Sequence, residues 1–281
     1  MNARIIAIAN EKGGVGKTTT AINLSQALAL YNHKVLVVDL DPQGNLTQGF
    51  GISIDQIGKS IGDLIMDREL PIGAVIYEGP GLDLIPASPQ LARVERALVG
   101  MTNSELRLGR RLDEIKDKYD IIIVDTPPTF GPLMNSALNA VHALVVPVDS
   151  GYFAMMGIKE LLAEVAEIRQ GTNPRLEILG YLLTLADQTK VASETWDSLV
   201  SSFGEKVFET KIRRNVKLKE APVFGKTIYH HAPDSAGAQD YLMLAEEIRH
   251  RLQMVIAPTE ITRNPVEQSN HSLQIATGGV Q

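Results

Sequence analysis

Apolar residues along this chain fall into two kinds of run. Short, near-continuous Val/Ile/Leu blocks occupy Arg4–Ala9, Lys34–Leu40, Leu82–Ile85, Ile121–Asp125, Ala143–Val148, Ile178–Leu185 and Val207–Ile212. Blocks of that length and purity are expected of strands covered on both faces. Between them, apolar positions recur at helical spacing over Thr18–Leu30, Ser104–Lys116, Gly157–Arg169, Ser193–Phe203 and Ser235–Met254. Strand and helix alternating at this spacing predict an α/β fold, a doubly wound and mostly parallel sheet flanked by helices. Ligands of such sheets sit beyond the carboxyl ends of the strands. From Ala257 onward the sequence turns polar and aperiodic (Pro258, Asn264, Pro265, Gln268, Ser269, Asn270). The reading is one folded domain over 1–256 and a disordered polar tail over 257–281.

Composition changes this picture mainly by exclusion. Hydrophobic residues make up 44% and charged residues 21%, ordinary proportions for a globular protein. There is no cysteine, which excludes thiol catalysis, disulfides and cysteine-ligated clusters and fits a reducing cytosol. The first strand begins so early that a signal peptide is not expected, and no apolar run approaches the roughly 20 residues needed to span a bilayer. The net charge of −6 means that any contact with nucleic acid has to come from a local basic patch.

The first strand runs into Asn10-Glu11-Lys12-Gly13-Gly14-Val15-Gly16-Lys17-Thr18-Thr19, and a helical run follows. Strand, glycine loop and helix in that order form the context of a phosphate-binding loop. Its backbone N–H groups and the positive end of the helix cradle phosphate oxygens. Lys17 is placed to reach the β- and γ-phosphates, and the Thr18 hydroxyl to ligate Mg²⁺. The usual pattern has glycine six residues before this lysine; Glu11 stands there instead, with a second lysine, Lys12, beside it.

Two carboxylate motifs accompany the loop. Val37-Val38-Asp39-Leu40-Asp41-Pro42-Gln43-Gly44 ends a strand with aspartates two residues apart, leaving on the same side. A carboxylate here can hold the Mg²⁺ shell or orient a water toward the γ-phosphate; capping the next element is the structural alternative. Ile121-Ile122-Ile123-Val124-Asp125 is the Walker B pattern, with Asp125 contacting Mg²⁺ directly or through water.

The ordered set Lys12-Gly-Gly-Val-Gly-Lys17-Thr-Thr, Asp39-Leu-Asp-Pro-Gln-Gly44-Asn and Asp125-Thr-Pro-Pro resembles the deviant Walker A ATPases, specifically the ParA/Soj partition branch. Further matches are Tyr152-Phe-Ala-Met-Met-Gly157, Arg214-Asn-Val-Lys-Leu-Lys-Glu-Ala-Pro222, Phe224-Gly-Lys226 and Gly237-Ala-Gln-Asp-Tyr241, so the resemblance spans roughly Ile5 to Leu252. It implies an ATP-dependent homodimer with nucleotide sandwiched between subunits and Mg²⁺ bound through Thr18, Asp39 and Asp125. The loop from Lys12 through Gly13, Gly14, Val15, Gly16, Lys17, Thr18 and Thr19 would hold the phosphates. Lys12 would reach across to the partner's phosphates, Gly13 would allow close approach there, and Asp41 would be needed for hydrolysis. Lys12, Lys17 and Asp41 are thus the implied catalytic set, with adenine contacts at Arg213 and Asn215. A second cation beside Lys17 is costly unless phosphate charge offsets both, so a nucleotide-free dimer should be disfavoured. Supplied across an interface, such a cation acts like an arginine finger.

The family also implies non-specific DNA binding, a cytoplasmic, nucleoid-associated location, positioning of a cargo, and a ParB-like partner or cargo adaptor that stimulates hydrolysis. Seven Lys/Arg lie between Lys206 and Lys226 against Glu209 and Glu220. Among them Lys211, Arg214, Lys217 and Lys219 are the candidate phosphate contacts, giving salt-sensitive binding without sequence readout. The chain departs from the family where Arg213 replaces the usual proline, where the loop after Leu185 reads Asp187-Gln188-Thr189-Lys190, and where Asp234 and Ala236 stand at positions often occupied by arginine. Two other classes compete. A membrane-cycling ATPase resembling MinD would need a basic amphipathic terminal helix, which Thr259–Gln281 does not supply, so no membrane partner is expected. A metabolic phosphate-loop enzyme of the dethiobiotin-synthetase type would have no use for the Asn215–Pro222 motif. His230-His231 on a strand would point to opposite faces and make no metal pair, and Trp196 reads as packing.

Overall fold

The computed structural model describes residues 2–79, 81–151, 154–254 and the pair 274–275. The elements in chain order are β1 (Arg4–Ile8), α1 (Lys17–Leu30), β2 (Val35–Asp39), α2 (Asn45–Gly49), α3 (Ile61–Met66), β3 (Tyr77–Glu78), β4 (Leu82–Ile85), α4 (Leu91–Leu98) and α5 (Arg107–Asp113). They continue with β5 (Ile121–Asp125), α6 (Pro132–Ala140), β6 (Ala143–Asp149), α7 (Ala154–Gln170), β7 (Glu177–Thr184), α8 (Lys190–Phe203), α9 (Val216–Glu220), α10 (Ile228–His231), α11 (Ala236–Arg251) and β8 (Gln274–Ile275).

The strands form one sheet in the order β7-β6-β1-β5-β2-β4-β3-β8, parallel from β7 through β4, with β3 antiparallel at the far side. This is the doubly wound, mostly parallel sheet that the alternation predicts. Side chains of a strand alternate between faces. Ile5, Ala7, Leu36, Val38, Ile122 and Val124 therefore pack with α3 through α8, while Ile6, Ile8, Val35, Val37, Ile121 and Ile123 pack with α1, α10 and α11. Two such layers explain why the strands read as unbroken apolar runs. Each buried Val, Leu or Ile contributes about 1.5–3 kcal/mol.

Register sets the site. Ile8 and Asp39 both pair with Asp125, and Asp149 pairs with Thr184, so three carboxylates and a hydroxyl share the carboxyl edge beside the glycine loop.

Several expectations fail locally. Val207–Ile212 is not a continuous strand: isolated bridges, Tyr181 with Val207 and Ala186 with Arg213, and the Phe208 and Ile212 amides, which donate to the Tyr181 and Leu183 carbonyls at 2.9 Å each, tie it to β7 and the residues just after it. The amides of Glu209 and Thr210 are instead taken by the Glu247 carboxylate of α11, at 3.0 and 3.1 Å, which interrupts the ladder between the Phe208 and Ile212 bonds. The single helix expected over Ser104–Lys116 is a 3-10 turn (Ser104–Leu106) followed by α5. His230 and His231 lie on helix α10, not a strand. The tail expectation for 257–281 falls outside the described residues, apart from Gln274–Ile275, which pairs with β3.

Candidate nucleotide-binding site

The loop from Asn10 to Gly16 joins β1 to α1 and is pinned by β6 and β7. Asn10 is buried; its Nδ2 donates to the Pro147 carbonyl (2.7 Å) and its Oδ1 accepts from the Lys12 amide (3.0 Å). Thr184, at the end of β7, donates through Oγ1 to the Val15 carbonyl (2.8 Å). Gly14 and Gly16 adopt φ of 78° and 84°, the left-handed region that a Cβ disfavours, and Gly16 caps α1 with that geometry. Gly13 needs no such freedom. A Cβ built there meets nothing within 4 Å, so no contact among the described residues requires glycine at that position.

Lys17 opens α1 and is only 7% exposed, its Nζ donating to the Lys12 carbonyl (3.1 Å). Burial pulls its pKa down, opposed by the Asp125 and Asp41 carboxylates. Thr18 donates through Oγ1 to Asp125 Oδ2 (2.8 Å), while Asp125 Oδ1, fully buried, has no hydrogen-bond partner. Burial first, then the neighbouring Asp39 charge, raises the Asp125 pKa well above the carboxylate range. A hydroxyl and a carboxylate with an unspent oxygen are hard oxygen donors of the kind Mg²⁺ takes, so these residues fit that ion at the phosphate end of α1. Thr19 follows on the same first turn.

The two aspartates after β2 differ in what holds them. Asp39 is fully buried and occupied within the chain. Oδ2 accepts from the Thr47 amide (2.9 Å) and hydroxyl (2.6 Å), and Oδ1 from the Asp41 amide (3.2 Å). Burial pushes its pKa up to about 6 in spite of those bonds. Asp41 uses Oδ1 to accept from the Gln43 amide (2.9 Å) and lies close enough to Lys17 to raise its pKa.

Lys12 is the rim residue. Its Nζ donates to both Asp149 oxygens, at 2.7 and 2.8 Å, with 34% of the side chain exposed. Asp149 comes from the end of β6, and Gly151 passes so close that a Cβ there would sit 3.2 Å from Lys12 Nζ. Glu11, its neighbour, has a pKa raised to about 7 by burial and by Glu160 and Glu164 on α7.

The remaining predicted residues follow β7 in the chain. The Arg213 backbone N–H donates to Asp240 Oδ2 (2.9 Å), and its guanidinium forks onto the same carboxylate, with Nη2 to Oδ1 at 2.6 Å. Asn215 caps α9, its side chain accepting from the Lys217 amide (2.9 Å). The basic cluster is largely partnered: Lys211 Nζ lies 3.5 Å over the Trp196 ring, Arg214 is 3.7 Å from Asp187, and Lys217 is 2.8 Å from Glu220. Lys219 is exposed at the surface of α9. His230 bonds the Thr227 hydroxyl and His231 faces Glu220, so the two rings do not converge. Among the described residues no cluster of three or more His, Cys, Asp or Glu is placed to hold a metal, and no helix is long and apolar enough to cross a membrane. Asn10, Thr47, Asp149 and Thr184 are the site residues that the sequence did not single out. Asp149 ends an apolar strand run as Asp39 and Asp125 do, and that shared signal could have found it.

A glycine loop between a central parallel strand and its helix, a buried lysine, and a threonine facing a strand-end aspartate together define a phosphate-loop nucleotide-binding protein. A family model described as an AAA domain matches residues 3–178. The chain is 45% identical over 251 residues to the chromosome-partitioning ATPase Soj of Thermus thermophilus, covering 89% of this chain and 97% of that one. It is 42% identical over 247 residues to the sporulation initiation inhibitor protein Soj of Bacillus subtilis, covering 87% and 98%. Among solved structures, cobyrinic acid a,c-diamide synthase from Mycobacterium smegmatis, with a bound ATP analogue and magnesium, is 31% identical. It superposes with a TM-score of 0.77 over 92% of this chain and 99% of that one. The chain belongs to the ParA/Soj family of partition ATPases.

Proposed function

We propose that the protein is an ATP-dependent dimerising ATPase that binds DNA non-specifically and positions a cargo, a chromosome, plasmid or protein assembly. The observation that carries this reading is the pair of lysines, one sunk at the start of α1 and one at the rim of the same loop. Lys17 serves the protomer's own β- and γ-phosphates. Lys12 leaves Asp149 and reaches the nucleotide of a second copy. Gly13 fits this division, since a Cβ built there meets nothing within 4 Å among the described residues and the position is open to a second copy. Thr18 and Asp125 would hold Mg²⁺, which when bound would supply charge neutralisation at the phosphates. Asp39 stands behind them as a positioning residue, its carboxylate fixing Thr47 and the Asp41 amide. Asp41 then orients the attacking water. The adenine lies toward Arg213 and Asn215, where the guanidinium plane offers a stacking face.

In this cycle ATP closes the dimer, the closed dimer holds DNA through the Lys211–Lys219 region, and a ParB-like or cargo-bound partner accelerates hydrolysis and release. The place of action is the nucleoid in the cytoplasm. A comparison of wild type with Lys17→Ala and Asp41→Ala tests the assignment. Lys17→Ala should lose nucleotide binding in a fluorescent-ATP titration. Asp41→Ala should bind ATP, hydrolyse it at a small fraction of the wild-type rate, and remain on DNA. Hydrolysis at the wild-type rate by Asp41→Ala would overturn the catalytic assignment.

A further inference from the structure

A second concave site lies where the end of α3 and the loop after it meet α5. Its cavity, about 220 Å³, is lined by Ile65, Arg68, Arg107, Arg110, Arg111 and Glu114, and shares no residue with the nucleotide site. Two of the four arginines are built into the fold. Arg111 is 8% exposed; it donates to the carbonyls of Arg68 (2.9 Å) and Leu70 and pairs with Glu114 (2.8 Å). Arg107 donates through Nη1 to the Ile65 carbonyl (3.0 Å). Both keep a buried Nε without a partner. Arg68 and Arg110 are exposed, and neither side chain makes a hydrogen bond or ion pair among the described residues.

Charge around the pocket is unbalanced: four guanidiniums face one carboxylate. The other nearby acids offset it only in part: Asp113 is paired with Lys116 (2.7 Å), while Asp67, next to Arg68 in the chain, accepts the Glu69 amide (2.9 Å) and keeps its charge. Gathering like charges round a cavity with carbon walls is unfavourable unless an anion enters. Guanidinium forks match the oxygens of phosphate groups and stay charged at every working pH. The cavity is smaller than the roughly 300–1,000 Å³ of pockets that take drug-sized ligands, so it suits a compact anion and not a whole nucleotide.

We propose that this arginine-lined pocket binds a small, multiply charged oxyanion of phosphate chemistry, of about the size of inorganic pyrophosphate. Arg107 and Arg111 form the fixed floor, and Arg68 and Arg110 close over the ligand from the rim. The ligand would bridge α3 and α5, two helices otherwise joined here by arginine-to-carbonyl bonds.

Pyrophosphate itself is the probe, titrated calorimetrically without Mg²⁺ into Lys17→Ala protein, so that the nucleotide loop is disabled. Binding should be measurable there, and should weaken at least about tenfold when Arg68→Gln and Arg110→Gln are added, since two charge-assisted hydrogen bonds are removed. Both arginines are exposed and unpaired, so thermal unfolding should be unchanged, which separates weakened binding from a damaged fold. No binding by the Lys17→Ala protein, or equal binding with and without the two arginines, would overturn the proposal. A parallel duplex-DNA titration of Arg68→Gln/Arg110→Gln in the otherwise wild-type protein with ATP should match wild type. Loss of DNA binding with pyrophosphate binding intact would assign the patch to a polynucleotide backbone and also overturn it.

Discussion

Replacing Asp149 by asparagine tests the division of labour between the two lysines. In the single chain, Lys12 Nζ is held by both Asp149 oxygens at 2.7 and 2.8 Å, and reaching another subunit's phosphates requires those bonds to break. The pair is partly exposed, 34% and 22% for the two side chains, so its worth is discounted to about 1 kcal/mol. Closing a dimer breaks one such pair in each protomer. Asp149→Asn should therefore relieve about 2 kcal/mol on dimerisation, roughly a 30-fold tighter dimer at 1.4 kcal/mol per tenfold. The assay is sedimentation equilibrium with ATP in an Asp41→Ala background, so that hydrolysis does not drain the dimer. Thermal unfolding of the monomer should fall by a few degrees at most, about 2–4 °C per kcal/mol for a domain near this size. An unchanged or weaker dimer, with ATP affinity preserved, would refute the idea that Asp149 holds Lys12 in reserve.

Three further outcomes follow from the same geometry. Thr184→Val removes the hydroxyl that anchors the Val15 carbonyl; it should cost about 1 kcal/mol and weaken ATP binding, and an unchanged ATP titration would show that the loop needs no anchor from β7. Glu11 has its pKa raised from 4.5 to about 7, so the fold favours its neutral form, and it withdraws stability as pH rises from 4.5 through 7. Glu11→Gln should accordingly raise the unfolding temperature above pH 7 and leave it nearly unchanged at pH 4.5; equal shifts at both pH values would refute the cause. Reversing charge at Lys211, Arg214 and Lys217 should weaken low-salt retention on DNA and flatten the salt dependence by about 0.9 for each phosphate no longer neutralised, while ATP-driven dimerisation persists. An unchanged gel-shift titration would rule the cluster out.

Much of the frame was legible because the physics involved is local. Six of the seven apolar blocks are strands within a residue or two, since a strand buried on both faces leaves an unbroken apolar run. The glycine loop announced itself through Gly14 and Gly16, whose left-handed φ few other residues tolerate. The failures come from tertiary contacts. Val207–Ile212 has strand composition, yet Glu247 of α11 takes two of its amides, those of Glu209 and Thr210, between the Phe208 and Ile212 bonds to β7. α3 and α4 have six and eight residues, too short for a clear helical period, and α3 rests on a Ser60–Asp63 capping box that the apolar pattern does not reveal. Spacing could not separate the tasks of Asp39 and Asp41; that depends on Thr47, which spends both its hydroxyl and its amide on Asp39. The partner of Lys12 lies 137 residues away on β6, and only the sheet register brings Asp149 to it.

The proposed cycle stands or falls on closure of two copies being conditional on bound ATP, because Lys12 of each serves the other's phosphates. Sedimentation velocity of wild type and Lys12→Ala, each without nucleotide, with ADP and with ATP, is the sharpest test. Monomers are expected in every sample except wild type with ATP, which should sediment as a dimer. The same mass for wild type under all three conditions, or an ATP-induced dimer of Lys12→Ala, would contradict the proposed role of Lys12.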